Sequence, residues 1–249
     1  MTTMRCQDDS YETEVEVEVL ACEPSDSGFH TTISQTILYP GGGGQPSDEG
    51  RVSGLQIGEP LRTSGLTATY ATSEAVALGM ATLELDWARR FDHMQQHTAQ
   101  HLISALAQDH LGLETIAFHL NAERSDVVLG GGRLNPDILL GLETLVNQAI
   151  RSAIPVVARL IEPSELKTEG VRSRRLPPDH EGSLRVVEIE GIDLNTCGGT
   201  HVGNTAELQA VRLLQSEESK GTFRVHYWAG GRVIHGHRDA WAREVLLIQ

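Results

Sequence analysis

The stretch "DWARRFDHMQQHTAQHLISALAQDHLGLE", residues 86–114, decides the fold, because the chain changes there from strand-like to helical character. We predict one long helix with Asp92 as its N-cap and Gln95 at the capping-box position. Gly112 predicts the C-terminal end, since glycine readily adopts the left-handed conformation that terminates many helices. The helix would therefore mark the boundary between two kinds of structure.

Residues before this helix have the features of β-structure. "YETEVEVEVLACE" alternates apolar and acidic residues through Val15, Val17 and Val19, which is typical of a strand with one face in water. Short β-rich pieces separated by glycines follow, namely "GFHTTISQTILYP", "GRVSGLQIG" and "GLTATYATS". Short strands with closely spaced turns favour a small barrel or sandwich. We predict that residues 1–90 form a small β-barrel domain.

Residues after the long helix combine one more helix with several strands. Asn135 as N-cap and Pro136 in the first turn predict a helix in "NPDILLGLETLVNQAIRSAI". Its apolar stripe consists of Leu139, Leu142, Leu145, Val146 and Ile150. Strands are predicted in "TIAFHL", "SDVVLGG", "PVVARLI", "LRVVEIEGI", "AELQAVRLLQSE" and "TFRVHYWAGG". The overall prediction is an α+β fold, in which residues 91–249 form a second domain of helices packed on an antiparallel sheet.

Two pairs of residues with the same spacing predict a metal site. His97 and His101 lie four residues apart, so a helix would present them on one face, one turn apart. Taken alone, this pair is equally well explained as two ordinary histidines on a partly buried face. Cys197 and His201 repeat the spacing in "CGGTH", where two glycines favour a loop that folds closely around an ion. Three imidazoles and one thiolate suit tetrahedral zinc.

The chemistry of this predicted zinc site is only partly defined by its ligands. Zinc peptidases carry a glutamate directly after the first helical histidine, and Thr98 stands there in this chain, which argues against a peptidase. A site closed by four protein ligands would be structural, whereas a catalytic site needs a position open to substrate. The ligand set leaves both alternatives open.

Composition restricts the class of protein and the place where it works. Neither a secretory signal nor an apolar run long enough to span a bilayer is present, so we expect a soluble cytoplasmic protein without a membrane partner. Cys6, Cys22 and Cys197 are too few and too far apart to indicate a disulfide framework. The net charge of −14 argues against a broad nucleic-acid surface, so any RNA contact would be local. The candidate for such a contact is the cluster of Arg172, Arg174 and Arg175, which a solvated loop explains equally well.

Several motifs together resemble one family. "HTAQH" followed about a hundred residues later by "CGGTH" is similar to the editing domain of alanyl-tRNA synthetases and of the free-standing alanyl-tRNA editing proteins (AlaX). "TILYPGGGGQPSDEG" resembles the glycine-rich N-terminal motif of that family, and "FRVHYWAGGRV" resembles its closing strand. Glu143 and Asn147 occupy characteristic places in the helix between the zinc motifs. The length resembles the medium-length free-standing editors.

The resemblance implies a zinc-dependent hydrolase that deacylates mischarged tRNA. The implied substrates are tRNA(Ala) carrying serine, and also glycine, and no nucleotide cofactor is expected. The small apolar pocket in which a synthetase activates alanine discriminates only weakly against glycine and serine. A second site that hydrolyses the wrongly charged tRNA is therefore needed. Two alternatives remain open: a threonyl-type editing hydrolase, which shares the zinc spacing, and a non-catalytic, zinc-stabilised RNA-binding module. The oligomeric state is left open.

The resemblance also implies roles for individual residues. The zinc ligands His97, His101, Cys197 and His201 would serve catalysis, together with Thr36, which occupies the family position associated with recognition of the serine hydroxyl; an ordinary strand threonine is the alternative. Residues implied in substrate binding are Gly43, Gly44, Gln45, Asp48, His119, Arg172, Arg174 and Arg175. For the glycine-rich motif a plain tight turn is the competing explanation. Arg185 and Arg224 are further candidates for phosphate contacts.

Overall fold

A computed structural model describes residues 4–172 and 182–248 of the chain. The fold is α+β, and every strand pairing within its sheets is antiparallel, as predicted. No helix among the described residues is both long and apolar enough to cross a membrane. Cys6, Cys22 and Cys197 are free thiols.

The N-terminal part is a seven-stranded sheet in the order β4-β3-β7-β1-β2-β6-β5. Its strands are β1 Glu14–Ser25, β2 Gly28–Ile33, β3 Gly50–Val52, β4 Leu55–Ile57, β5 Arg62–Ser64, β6 Thr67–Thr72 and β7 Gly79–Leu85. The predicted alternation is confirmed, because Val17 and Val19 are buried in the core while the adjacent Glu16 and Glu18 face water. The sheet curls until β4 contacts β6 and so forms a half-barrel. A closed barrel over residues 1–90 stays a prediction.

A four-residue helix, α1 (Arg5–Asp8), precedes the sheet, and the long helix α2 (Trp87–Leu111) follows it. The predicted helix is confirmed, but its predicted start is wrong. Asp86 is the N-cap, and its side chain accepts a hydrogen bond from the Arg89 amide at 3.1 Å. Asp92 instead binds Arg232, and Gln95 donates to the Glu207 carbonyl at 2.8 Å. The error arose because local capping signals cannot reveal distant partners for the same side chains.

The remaining elements form two further sheets and two helices. The strands are β8 Glu114–His119, β9 Ser125–Gly130, β10 Val156–Ile161, β11 Leu184–Ile189, β12 Asp193–Thr196, β13 Val211–Ser219 and β14 Thr222–Ala229. The helices are α3 Pro136–Arg151 and α4 Gly231–Ile248, and short 3₁₀ turns cover Pro163–Glu165 and Thr205–Leu208. One sheet has the order β13-β14-β9-β8 and the other β10-β11-β12. Helix α2 packs against β8, β9 and β14, which buries its central turns between sheet and α3.

Helix α3 begins as predicted and is attached to the edge strand β13. The Asn135 side chain accepts from the Ile138 amide at 2.8 Å, which confirms the N-cap. Glu143 accepts from the Leu213 amide at 2.7 Å, and the Asn147 amide pairs with both backbone groups of Val211. Two polar side chains of the helix thereby satisfy backbone groups at a strand edge that would otherwise be unpaired.

A buried ion pair connects α2 to the loop after β2. Arg90 and Asp48 are both fully buried and form a salt bridge. Arg90 also donates to the Ser10 carbonyl at 3.0 Å and the Ile37 carbonyl at 2.7 Å, and Asp48 accepts from the Tyr39 amide at 2.6 Å. The guanidinium therefore connects the N-terminal segment, α2 and the loop between β2 and β3 (residues 34–49), which is called the glycine-rich loop below. The predicted domain boundary at residue 90 stays a prediction.

We predict that Arg90→Met lowers the free energy of unfolding by about 3–5 kcal/mol, because it leaves the Asp48 carboxylate buried without a partner. The neighbouring Arg89, whose ion pair with Glu49 is partly exposed, provides the matched control Arg89→Met, with an expected loss of about 1 kcal/mol or less. Urea unfolding followed by circular dichroism measures both. Similar losses in the two variants would contradict a special role for the buried pair.

Candidate metal centre and its cavity

The predicted ligands meet in space. His97 and His101 lie in α2, Cys197 directly follows β12, and His201 lies in the loop beyond it. Their ligand atoms all lie within 4.8 Å of one another. The Cys197 Sγ atom is 3.4 Å from His97 Nε2 and 3.2 Å from His201 Nε2, close to the edge of about 3.5 Å expected for tetrahedral zinc with nitrogen and sulfur ligands. Residues a hundred positions apart thus form one cluster that could bind a metal ion.

Gln45 fixes the orientation of His97. The Gln45 Oε1 atom is 2.8 Å from His97 Nδ1 and also accepts from the Thr200 amide at 3.1 Å, while Gln45 Nε2 donates to Thr200 Oγ1 at 2.9 Å. With a hydrogen on Nδ1, His97 presents Nε2 to the cluster. A side chain of the glycine-rich loop therefore orients a ligand on α2 and holds the "CGGTH" loop at the same time.

Asp193 fixes the orientation of His101. The Nδ1 atom of His101 lies 2.8 Å from Asp193 Oδ2, and both side chains are buried. Burial favours the neutral ring, but the hydrogen bonds with Asp193 and Cys197 outweigh it and raise the pKa of His101 to about 10. Arg172 approaches the other carboxylate oxygen at 3.4 Å. A carboxylate behind a metal-ligating histidine is the usual arrangement for holding the ring and raising its basicity.

Thr98 fixes the orientation of His201. Its hydroxyl lies 3.1 Å from His201 Nδ1 and 3.3 Å from the Val202 amide nitrogen. Burial and the neighbouring His97 lower the pKa of His201 to about 3, so the ring is neutral, the form in which histidine binds metals. The residue that replaces the glutamate of zinc peptidases therefore serves to hold a ligand.

Cys197 has the properties of a thiolate ligand. Burial raises the pKa of its thiol, but the neighbouring His97 and His201 and the hydrogen bonds from His101 and His201 more than offset this, so the pKa lies well below its ordinary value. The Gly199 amide also donates to Sγ at 3.4 Å. A Cβ atom at Gly199 would stand 2.3 Å from the His97 ring and 2.6 Å from Gln45 Oε1, so this position accepts only glycine.

Arg185 anchors the loop that carries Cys197. Its guanidinium donates to the carbonyls of Cys197 at 2.8 Å and Gly199 at 2.9 Å, and to that of Gln7 at 3.2 Å. Burial lowers the pKa of Arg185. The sequence suggested Arg185 as a phosphate contact, but its donors are used to satisfy the turn's carbonyl groups.

A cavity of about 390 Å³ opens beside the cluster. Its lining residues are Met4, Gln7, Tyr39, Gly42, Gly43, His97, Gln100, His101, Phe118, Asn195, Thr196, Cys197, Gly198 and Gly199. No aspartate or glutamate is among the described residues that line this cavity. Three of the four clustered residues, His97, His101 and Cys197, belong to the wall of this pocket.

The glycine-rich loop lies at this cavity, and its residues have different roles. Gly43 lies in the wall, whereas Gly44 packs under Phe118, where a Cβ would come within 2.6 Å of the ring. Gln45 and Asp48 are both buried and engaged with protein partners, in the contacts to His97 and Arg90. The loop thus shapes the pocket through its backbone and supports the metal ligands through Gln45.

Thr36 lies outside the residues that line the cavity. Its hydroxyl is 2.8 Å from the Tyr70 hydroxyl and accepts from the Leu38 amide at 3.0 Å. It thereby holds the turn after β2, which leads into the glycine-rich loop.

Strand β8 reaches the cavity through Phe118 rather than through His119. The Phe118 ring lies 5.6 Å from that of His97, while His119 is half-exposed and pairs with Asp126 at 2.9 Å. Sequence reasoning missed Phe118 because nothing in "AFHL" reveals which face of the strand meets α2. It also missed Asp193, although an aspartate four residues before a metal-binding cysteine could have been suspected as a partner for a ligating histidine.

The arginine candidates are dispersed. Arg172 pairs with Asp109 at 2.7 Å and with Asp193 at 3.4 Å, and Arg224 pairs with Asp126. Arg174 and Arg175 lie outside the described residues. Arg172 and Arg224 therefore have carboxylate partners within the protein, whereas Arg185 donates to carbonyl groups.

Comparison with known proteins extends the resemblance over most of the chain. Residues 184–226, from β11 to β14, match the family described as "Threonyl and Alanyl tRNA synthetase second additional domain". The alanyl-tRNA editing protein Aarsd1 of Danio rerio is 39% identical over 92% of this chain and 59% of its own length. AlaX-L of Pyrococcus horikoshii is 28% identical over 94% of this chain and 60% of its own length. AlaX-M of Methanosarcina barkeri is 28% identical over 86% of this chain and 93% of its own length.

The chain thus spans about three fifths of the length of the first of these curated relatives. The match to this relative covers 92% of the chain and so extends well beyond residues 184–226. The resemblance seen in the sequence motifs is confirmed: the chain is a homologue of the alanyl-tRNA editing proteins.

Proposed function

We propose that this chain hydrolyses the ester bond of mischarged tRNA(Ala), chiefly Ser-tRNA(Ala) and also Gly-tRNA(Ala), at a zinc site formed by His97, His101, Cys197 and His201. The observation that carries the proposal is the ligand cluster itself, with each histidine's Nδ1 atom held by a hydrogen-bonding partner, at the wall of a cavity. Homology to alanyl-tRNA editing proteins supports the choice of substrate.

Zinc fits this donor set better than the other common ions. Imidazole and thiolate ligands exclude magnesium and calcium, which prefer oxygen, and the close approach of Sγ to two Nε2 atoms suits a small tetrahedral ion. A bound zinc ion would supply Lewis acidity that polarises the ester carbonyl or lowers the pKa of a water molecule. An aminoacyl ester is an activated acyl group, so this contribution is adequate for hydrolysis.

The chain's own residues hold the ligands and receive the substrate. Gln45, Asp193 and Thr98 keep the three imidazoles turned toward one point, so little reorganisation is needed when an ion or substrate binds. His97, His101 and Cys197 line the cavity, so an ester that enters it reaches the ligand set. This access favours a catalytic over a purely structural metal.

On this acidic chain, we expect contacts to the RNA at a few local cationic side chains. Arg174 and Arg175 are the proposed phosphate contacts, together with Arg224, which is 41% exposed beside its ion pair with Asp126. His119 lies next to Arg224 and is proposed as part of the same contact. With so few cations, we expect binding of tRNA to depend on salt less steeply than for strongly basic proteins.

We expect the purified protein to release serine from Ser-tRNA(Ala) and glycine from Gly-tRNA(Ala) much faster than alanine from Ala-tRNA(Ala). The physical reason is that a pocket that activates alanine cannot exclude serine and glycine strongly, so an editing pocket must accept these two amino acids. Release of radiolabelled amino acid measures the rates, and Thr-tRNA(Thr) is included. Absence of turnover on all substrates would contradict the enzyme, and preference for threonine would favour the threonyl-type alternative.

We expect Cys197→Ala to abolish deacylation and to reduce the zinc content below one ion per chain, because the only thiolate of the cluster is lost. Cys22→Ser is the matched control, since Cys22 lies in β1, far along the chain from the cluster, and is expected to retain zinc and activity. Metal content is measured by mass spectrometry. Full zinc occupancy with an unchanged rate in Cys197→Ala would refute the site.

Thr36→Val tests the proposed recognition of the serine hydroxyl. If Thr36 contacts this hydroxyl, hydrolysis of Ser-tRNA should fall about tenfold while hydrolysis of Gly-tRNA is preserved, because only serine loses a hydrogen bond. Thermal unfolding separates any loss of the Tyr70 contact from loss of selectivity. Equal decreases on both substrates would show that Thr36 supports the fold only.

A further inference from the structure

Gln100 is a buried side chain in the cavity wall that none of the contacts described above uses. It lies in α2 between the two histidine ligands and is 3% exposed. Its Nε2 atom donates to Ser104 Oγ at 2.7 Å, and Ser104 in turn accepts from Thr115 Oγ1 at 2.7 Å. The amide group is therefore fixed by partners on the protein side.

The carbonyl oxygen of the same amide is available. No described residue donates a hydrogen bond to Gln100 Oε1, and this atom is not among the buried side-chain polar atoms that are sealed without a partner. Gln100 also belongs to the cavity lining, so a ligand in the cavity could approach this side chain. A nearly buried acceptor usually receives a hydrogen bond, and no described residue donates one to this oxygen. A bound ligand could supply that donor.

The surroundings indicate what kind of donor would bind there. Among the described lining residues no side chain carries a negative charge at the cavity except the Cys197 thiolate. Gln7 Oε1 already accepts from the Met4 amide, and the Tyr39 hydroxyl donates to the Gly42 carbonyl. A cationic group that enters the cavity would therefore depend on neutral oxygen acceptors, of which Gln100 Oε1 is fixed in position.

Helix geometry places Gln100 beside the ligand cluster. Gln100 is three residues after His97, and residues with this spacing are neighbours on a helix surface. In an aminoacyl ester a single carbon separates the α-ammonium group from the carbonyl carbon. An ester carbonyl at the ligand cluster would bring its ammonium group within reach of the neighbouring side chain.

We propose that Gln100 Oε1 binds the α-ammonium group of the aminoacyl substrate and thereby sets the position of the ester carbonyl at the ligand cluster. The inference rests on the proposed function. Every aminoacyl ester carries this ammonium group, so the contact would orient serine and glycine alike, and discrimination between amino acids would come from other residues.

Binding of a stable analogue tests the inference without hydrolysis. The probes are adenosine carrying serine in amide linkage at its 3′ carbon, and the same compound acetylated on the α-amino group. Calorimetry with the whole 249-residue chain, loaded with zinc, gives both dissociation constants. We expect Gln100→Met to weaken binding of the ammonium analogue about tenfold or more, because a hydrogen bond to a charged group is lost. Binding of the acetylated analogue should weaken less than about twofold.

Two further variants control for folding and shape. Gln148→Met makes the same replacement at an exposed position of α3 and should change neither constant. Gln100→Glu keeps an acceptor and adds a negative charge, so it should bind the ammonium analogue at least as tightly as the natural protein. If Gln100→Met does not fold, Gln100→Glu must still increase the preference for the ammonium analogue over the acetylated one.

The outcomes separate this inference from the proposed function. Equal weakening of both analogues by Gln100→Met, or no weakening of either, would overturn the ammonium contact, as would failure of the natural protein to prefer the ammonium analogue. The deacylation assay judges the proposed function independently. In that assay Gln100→Met should slow the hydrolysis of Ser-tRNA and of Gly-tRNA equally. A selective decrease in the hydrolysis of Ser-tRNA would indicate that Gln100 binds the serine hydroxyl instead.

Discussion

The hydrogen bond between Gln45 and His97 is the interaction on which the site depends. It joins the glycine-rich loop of the N-terminal half-barrel to a ligand on α2, and the same amide group holds Thr200 in the "CGGTH" loop. Three segments distant in sequence are thus fixed to one another by a single buried side chain. The half-barrel is consequently part of the candidate metal site, because its Gln45 side chain sets the orientation of the His97 ring.

This arrangement requires close packing that only particular residues permit. Gly199 approaches the His97 ring and Gln45 so closely that a side chain cannot be accommodated, and Gly44 lies against Phe118 in the same way. The buried pair of Arg90 and Asp48 holds the loop that delivers Gln45 to its place. Glycines provide the space, and buried polar contacts define the geometry, so the pocket is largely formed before any ligand binds.

Sequence patterns predicted the elements well and the partners of polar side chains poorly. The strand alternation of β1, the helix α2 with its end at Gly112 and the N-cap Asn135 follow from local periodicity and capping chemistry. The start of α2 was wrong, because Asp92 and Gln95 have long-range partners instead of capping roles. Arg172, expected from its charge to contact RNA, pairs within the protein with Asp109 and Asp193, and a list of charges cannot reveal such partners. Its contact with RNA stays a prediction.

The sequence by itself determined the candidate ligand set, because two pairs of side chains of the kinds that bind metals recur at the same four-residue spacing. It also determined the α+β class, through the periods of two and 3.6 residues. Only the tertiary structure decided which atoms hold the ligands and what lines the cavity. Asp193, Thr98, Phe118 and Gln100 acquire their places from contacts between segments far apart in the chain, and such contacts leave no local pattern in the sequence.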